Sequence, residues 1–352
     1  MTNDMTRGNP VRLILAFMIP TYLGNIFQQF YNMADAIIVG KFVGTKGLAA
    51  VGSTGTIMFL IIGFLMGLTA GFTVLTSQKF GAGKMDEMRQ SVGNAALLSI
   101  IISVIMTAVS MVGMHSLLTL MHTPEDIFQD AYTYIMIICG GIFAQVLYNI
   151  LASILRALGN SKTPLYFLIL AALLNIVLDL TFIIVFHMGV AGAAWATSIS
   201  QLVSFVVLLV LNCRRAAIKV RLSRFTPQPH YFYKIFTGGV PSLCRQGVGS
   251  IATVLLNLAA GNYGGAAADA AIAAMGVVNR ISMFANSALI GFGQGFQPVC
   301  GTNYGAGKRT RVRQAFYFCI RLGCGTVAAL SVLAFAFAPQ LIQLFRDDAD
   351  VV

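Results

Sequence analysis

Residues 165–186 read LYFLILAALLNIVLDLTFIIVF, and this stretch decides the class of fold. Apart from Asn175, Asp179 and Thr181, its side chains are apolar or aromatic. About 20 such residues in succession cross the hydrocarbon core of a bilayer as one helix. A carboxylate inside such a helix is costly, and it usually faces a wet cavity where it has a function. The stretch therefore predicts a membrane-spanning helix that carries a functional acid.

Similar apolar blocks recur along the whole chain. Of the 352 residues, 57% are hydrophobic and 10% are charged, and the mean hydropathy is +0.80. A soluble domain carries about 25% charged residues. We predict an all-α membrane protein with nine spans, at about 13–39, 48–74, 92–114, 130–152, 164–186, 191–211, 235–257, 270–294 and 316–338. No cleavable signal peptide is expected, because the first apolar block continues to about Val39.

The short loops between these blocks alternate in charge. The net charge is +11, and the basic residues gather in every second loop: Arg7 and Arg12, Lys79 to Arg89, Arg156 and Lys162, 214–234, and 308–313. Loops rich in Lys and Arg stay in the cytoplasm. The pattern predicts a multi-pass protein of the cell membrane with a cytoplasmic N-terminus, and it explains the positive charge without nucleic-acid binding.

An internal repeat relates the two halves of the chain. The segment GFTVLTSQKFGAGKMDEMRQ (71–90) recurs 224 residues later as GFQPVCGTNYGAGKRTRVRQ (295–314), with eight of twenty positions identical. Both copies enter the membrane from the same side, so the repeat is parallel, with its axis along the membrane normal. Two-lobed repeats of this kind are typical of transporters and place the substrate path between the lobes.

The repeat also predicts the domain organisation. We expect a first lobe of six spans (1–211), a basic cytoplasmic linker that contains Pro227 and Pro229 (212–234), and a second lobe with spans seven to nine (235–352). Adding the offset of 224 to the start of the fourth span gives about 354. We therefore expect this chain to lack the last three spans of a parent with twelve.

Two acids lie inside the apolar spans, Asp35 in the first and Asp179 in the fifth. Asn175 is four residues before Asp179 and shares its helix face, and Thr197 in the sixth span is a further polar candidate. Two carboxylates that are close together in a low dielectric cannot both ionise cheaply, so they share a proton or hold a cation. These four residues are the predicted cation-coupling site, which would exchange H⁺ or Na⁺.

Asp35 belongs to a polar stripe on the first span. Asn25, Gln28 and Asn32 precede it at steps of three and four residues, so all share one helix face. Pro20 lies upstream and removes a backbone donor, which predicts a kink in this helix. We predict that Asn25, Gln28 and Asn32 line a cavity, and that the kink changes when the cation site changes its charge.

The seventh span carries a second stripe. Its cavity-lining candidates are Gln246, Ser250 and Asn257. Arg280 lies within the eighth predicted span, and its role is left open.

Further features of the sequence argue against phosphate binding, metal binding and catalysis. The sequence Gly81–Lys84 (GAGK) is not a phosphate-binding loop, because Met85 follows it and no strand precedes it. It recurs at 305–308, which indicates a helix-ending turn with a basic anchor. The six cysteines and four histidines show no metal-ligand spacing. No nucleophile and base are paired, so we expect neither an enzyme nor a cofactor.

The sequence resembles the multidrug and toxic compound extrusion (MATE) family. The resemblance rests on GNPVRLILAFMIPTYLGNIFQQFYNMADAIIVGKFVG (8–44), LNIVLD (174–179), GVAGAAWATSISQ (189–201) and the repeated GAGK block. It implies a fold of two six-helix lobes with alternating access, and export of small organic cations, often aromatic, in exchange for H⁺ or Na⁺. The family's cation site maps onto Asp35, Asn175, Asp179 and Thr197, and its kink proline onto Pro20. A monomer is expected.

One local departure from the family pattern concerns the fifth span. Leu180 follows Asp179 where the family often has proline. The ligand is kept, but we expect the bend of this span to differ.

Two alternatives stay open. The first is a flippase for lipid-linked oligosaccharides with the same superfamily fold; such proteins need a wide basic cavity. We expect the first lobe to contain an acid pair and no arginine within a span, which favours cationic cargo. The second alternative is a fragment or assembly partner that does not transport.

Overall fold

The computed structural model describes residues 4–121, 123–215, 227–241, 289–337 and the single residues 244, 248 and 255. Nearly all of this part of the chain is helical, and it contains no strand. The helices are α1 (Pro10–Phe42), α2 (Thr45–Gly81), α3 (Met85–Leu120), α4 (Glu125–Ala157), α5 (Lys162–Leu180), α6 (Gly189–Arg215), α7 (229–241), α8 (289–305) and α9 (Arg309–Ala336). By length and composition, α1, α3, α4, α5, α6 and α9 are able to cross a membrane. The all-α membrane class is confirmed.

Helix α4 is the centre of the first lobe. It packs against α2, α3 and α6. Its residues Ile135, Ile142 and Ile154 are buried in two separate apolar clusters. A helix that is apolar on all sides is stable when other helices surround it. The neighbours of α4 therefore form one bundle around it.

The ends of the helices differ from the predicted spans. The apolar pattern predicts 130–152 for the fourth span, whereas α4 runs from Glu125 to Ala157. Its first turn carries acids and its last turn carries Arg156, an arrangement that the helix dipole stabilises. The expectation that Arg156 lies in a loop is wrong, because a hydropathy pattern stops where the polar end of a helix begins.

The two GAGK segments form the same turn. Helix α2 ends at Gly81, and Gly83 takes a left-handed conformation with φ of 72°. At the equivalent place after α8, Gly307 has φ of 71°. The next backbone N–H in each copy, that of Lys84 or Lys308, closes the turn on a helix carbonyl five residues earlier. The interpretation of both motifs as helix-ending turns is confirmed.

The repeat reappears as a reciprocal contact between α2 and α8. A Cβ atom on Gly81 would collide with the backbone of Thr302, and one on Gly305 would collide with the backbone of Gln78. The offset of 224 relates 78 to 302 and 81 to 305, so these contacts exchange under the repeat. The two glycines let the helix backbones touch on a local two-fold axis.

The N-terminal segment is held against the start of α9. Three side chains donate hydrogen bonds to its carbonyl oxygens: Asn303 to Met5 (3.0 Å), Lys308 to Thr6 (2.8 Å) and Arg311 to Gly8 (2.7 Å). The Met5 side chain is fully buried against Val299 and Ala315. We call residues 4–8 and these three donors the N-terminal clasp. It joins the two lobes at the end of the bundle that carries the basic turns.

Two local bonds organise the clasp internally. Thr6 donates to the Asp4 carboxylate through its hydroxyl (2.7 Å) and its backbone N–H (2.9 Å). These bonds keep the pKa of Asp4 below its usual range. On the other side, Arg311 also donates to Asn303 Oδ1 at 2.8 Å, which orients the guanidinium. Arg311 thus bonds both to the N-terminal segment and to another donor of the clasp.

Replacing Arg311 with glutamine is expected to release the clasp. Hydrogen bonds to a charged group contribute about 1.5–3 kcal/mol each, and Arg311 makes two in the clasp. Trypsin cleavage after Arg7, followed by mass spectrometry of the N-terminal peptide, should become at least about tenfold faster. Arg321→Gln, which changes an exposed arginine of α9, is the control. Equal cleavage rates in both variants would show that these bonds do not hold the segment.

Candidate functional site

The four residues of the predicted cation-coupling site come together in the structure. Asp35 lies on α1, Asn175 and Asp179 on α5, and Thr197 on α6. Asn175 Nδ2 donates to Thr197 Oγ1 at 3.3 Å, and the carboxyl groups of Asp35 and Asp179 are close enough to affect each other's charge. All three acid and amide side chains are buried, Asp179 completely. We call these four residues the carboxylate cluster.

The oxygen atoms of the carboxylate cluster lack donors. Asp35 Oδ1, Asn175 Oδ1 and both carboxyl oxygens of Asp179 are buried without a hydrogen-bond partner in the described part of the chain. Buried polar atoms are nearly always paired, so four orphaned oxygens in one place call for an explanation. Carboxylate and carbonyl-type oxygens are the ligands of hard cations, and a shared proton meets the same need. The geometry fits a site for H⁺ or Na⁺.

The backbone of the fifth span changes next to Asp179. Helix α5 ends at Leu180, and a π-helical turn follows at Thr181–Val185. The Thr181 hydroxyl donates back to the Val177 carbonyl at 2.8 Å. Such wide turns inside a helix occur often at functional sites. The local irregularity of this span therefore begins one residue after Leu180.

Two tyrosines beside the carboxylate cluster were missed by the sequence reasoning. Tyr31 of α1 and Tyr134 of α4 are both within electrostatic reach of Asp35 and Asp179. Tyr31 is one helical turn before Asp35, so its position could have been found from the spacing. Tyr134 carries no such signal, because only the packing of α4 brings it to the cluster.

A separate cavity lies beside the polar stripe of α1. It has a volume of about 60 Å³ and is lined by residues of α1, α2, α4, α5, α6, α8 and the turn before α5. Asn25, Gln28 and Pro20 line it, together with amides and hydroxyls of the other helices: Thr69, Gln145, Asn149, Ser153, Gln201 and Gln294. Neither carboxylate of the cluster lines it. We call it the amide cavity.

The residues of the polar stripe on α1 thus lie at two different sites. Asn25 and Gln28 face the amide cavity, whereas Asp35 joins the carboxylate cluster about 10 Å further along the helix axis. Asn32 is exposed, and its amide donates to Gln29 Oε1 at 3.3 Å. It lines neither cavity found in the described residues.

Arg156 also lines the amide cavity. It lies in the last turn of α4, so the expectation that the first lobe has no arginine within a span stays a prediction.

The remaining predictions concern residues elsewhere. Gln246, Ser250, Asn257 and Arg280 lie outside the described residues. Pro20 lies within α1, which continues as one helix on both sides of it. Within the described ranges, no group of three or more His, Cys, Asp or Glu side chains has the arrangement of a metal site.

Comparison with known proteins places these features in a family. A family model described as MatE matches residues 20–181 and 241–352. The probable multidrug resistance protein YpnP of Bacillus subtilis is 29% identical over 349 residues, which cover 99% of this chain and 77% of the relative. The multidrug export protein MepA of Staphylococcus saprophyticus is 23% identical over 344 residues, covering 96% and 74%. The chain is thus shorter than the relatives it matches.

Solved structures share the whole architecture. A MOP superfamily transporter from Pyrococcus furiosus superimposes with a TM-score of 0.91 at 28% identity, covering 100% of this chain and 78% of the other. For that protein, a reverse polarity of the binding pocket suggests a different function. A multidrug resistance MATE family transporter in an outward-facing conformation gives a TM-score of 0.90 at 28% identity, covering 98% and 77%. These matches confirm the two-lobed helical architecture.

Proposed function

Because the chain belongs to the MatE family, we propose that it is a secondary antiporter that exports cationic and aromatic organic compounds in exchange for H⁺ or Na⁺. It would do so from the cytoplasmic side of the cell membrane, with its N-terminus in the cytoplasm as the basic loops predict. Asp35, Asn175, Asp179 and Thr197 would hold the coupling ion. The cargo would pass between the two lobes.

The carboxylate cluster carries this proposal. Its four orphaned oxygens are buried between α1, α5 and α6, where no described side chain donates a hydrogen bond to them. A bound proton or sodium ion removes one unit of uncompensated charge from this region. The states with and without the bound ion therefore differ strongly in free energy, as a coupling site requires.

Helix α1 connects the proposed ion site at Asp35 to the contact between the lobes. A Cβ atom on Gly291 or Gly295 of α8 would lie within 3.1 Å of the α1 backbone at Tyr22 or Met18, so the helices are in close contact there. Pro20 lies between these two contacts, and Asp35 lies on the same helix further on. Proline allows a helix to bend because the i−4 carbonyl loses its donor. A bend that follows the charge at Asp35 would move the contact between the lobes.

The contacts at the end of the bundle that carries the basic turns favour a conformation in which this end is closed. The N-terminal clasp and the touching backbones of α2 and α8 hold the lobes together at the end that we assign to the cytoplasm. An antiporter with that end closed would be ready to bind its coupling ion from outside. Ion binding would then favour the state in which the clasp and the α2–α8 contact separate.

Imposed gradients test the proposal directly. In proteoliposomes that contain the purified chain and ethidium, either a pH gradient or a sodium gradient is expected to raise ethidium transport at least about tenfold over vesicles without a gradient. The fluorescence of ethidium gives the rate. Collapsing the effective gradient with an ionophore should return the rate to the baseline. Transport that responds to neither gradient would contradict ion coupling.

A further inference from the structure

Arg156 is a cation in a cavity without a counter-charge. It lines the amide cavity and also a smaller neighbouring one of about 20 Å³, where Ser153, Gln294 and Gln297 are further lining residues. It is the one charged residue among those that line either cavity. None of the ion pairs found between described residues includes it.

One hydrogen bond of Arg156 is found within the described part of the chain. Its NH2 group donates to Ser153 Oγ at 2.9 Å, one turn earlier on α4. A guanidinium has five N–H donors in a planar fork. The fork matches a carboxylate or phosphate, which accepts two parallel bonds from it.

The helix dipole alone does not explain this position. A basic residue in the last turn of a helix is stabilised by the carbonyl end of the helix, and this holds for Arg156. That effect is also available to a side chain that reaches into solvent, as long basic side chains near span ends usually do. Arg156 instead faces a cavity between the lobes, next to Gln294 of α8. Its direction therefore indicates a partner inside the cavity.

The other lining groups suit a ligand that has both acceptors and donors. Hydroxyls of Ser153 and Ser161 lie on the wall of the cavity that contains Arg156. Gln201 and Gln294 line the same cavity, and the Oε1 atom of each is buried without a hydrogen-bond donor in the described part of the chain. An anionic group would satisfy the arginine, and hydroxyl or N–H groups on the same molecule would satisfy these oxygens.

We propose that the amide cavity binds a small polar molecule through a carboxylate or phosphate group placed at Arg156. Read together with the proposed antiport, on which this part rests, a cargo molecule would place its carboxylate or phosphate group here, because a volume of about 60 Å³ holds such a group but not an aromatic ring. Cationic groups of the same cargo would lie away from Arg156, because like charges repel. The carboxylate cluster, which lines neither cavity, stays available for the coupling ion.

Binding of a matched pair of probes tests the proposal without any gradient. The probes are 7-methoxycoumarin-3-carboxylate and 7-methoxycoumarin-3-carboxamide, which differ in charge and hardly in shape. Fluorescence polarisation with the full chain in phosphatidylcholine nanodiscs should give a Kd for the carboxylate at least about tenfold lower than for the amide, as expected for one charge-assisted pair. Arg156→Gln should remove this preference, and Arg156→Lys should keep part of it. Arg321→Gln, on the exposed face of α9, should leave it unchanged.

Two further arms identify the source of the anion. Inorganic phosphate should compete with the carboxylate probe in the wild-type chain. If nanodiscs with phosphatidylglycerol weaken binding of the carboxylate probe to the wild-type chain but not to Arg156→Gln, the anion at Arg156 is a lipid headgroup; if they weaken neither, it is a soluble compound. Both results support an anion site at Arg156.

Equal binding of carboxylate and amide by the wild-type chain would overturn the proposal. So would an unchanged preference in Arg156→Gln. If that variant does not fold, the wild-type preference and the phosphate competition still decide. Because binding is measured at equilibrium, a failure of ion coupling leaves this result untouched, and the two proposals fail separately.

Discussion

Asp179→Asn is expected to abolish gradient-driven ethidium transport. The substitution keeps the shape of the side chain but leaves Asp35 as the single carboxylate of the cluster, so the site no longer holds an exchangeable cation between two acids. The rate should fall by about two orders of magnitude, which corresponds to about 2.7 kcal/mol. Asp35→Asn should have the same effect, because both acids contribute to one site.

Stability measurements separate lost coupling from lost folding. Removing one of two buried acids that lack donors relieves an unfavourable interaction, so the melting temperature of Asp179→Asn should stay unchanged or rise. Asp126→Asn is the matched control, since this exposed acid pairs with Lys46 at 3.8 Å on the surface. It should transport at the wild-type rate. Wild-type transport by both cluster variants would refute the coupling site.

Gly305→Ala is expected to destabilise the contact between the lobes. The new methyl group would collide with the backbone of Gln78, which cannot turn aside as a side chain can. Overpacking of this kind costs about 1–3 kcal/mol, and the better helix propensity of alanine recovers up to about 1 kcal/mol. The net effect should be a melting temperature lower by several degrees in detergent. Gly81→Ala should behave alike, because the repeat relates the two positions.

Gly113→Ala provides the control for that prediction. Gly113 lies inside α3, and a Cβ atom there would meet nothing within 4 Å. The same chemical change should therefore be neutral or slightly stabilising. If Gly305→Ala and Gly113→Ala melt at the same temperature, the close approach of α2 and α8 does not contribute to stability.

The carboxylate cluster could be predicted from the sequence because two independent rules point to it. An acid inside an apolar span is rare enough to be noticed, and Asn175 and Asp179 share a face by simple helical spacing. The structure then brings Asp35 and Asp179 together across two helices. The same rules could not have found Tyr134, which approaches the acids only because α4 packs at the centre of the lobe.

Arg156 shows where sequence reasoning reached its limit. Hydropathy ends a span at the last apolar residue, whereas hydrogen bonding continues α4 to Ala157. Five residues of added helix move the arginine from a supposed loop to the wall of a cavity. The proposed anion site rests on this difference.

The sequence by itself determined the membrane class, the two-fold repeat and the acids that interrupt the apolar spans. The membrane class and the acids follow from local composition, and the repeat follows from comparing two stretches of sequence, so none of the three depends on how the helices pack. The tertiary structure decided which polar groups share a cavity, which oxygens stay without donors, and where α2 and α8 touch. Those depend on how helices far apart in the chain pack side by side, since a lone helix face does not specify its neighbour.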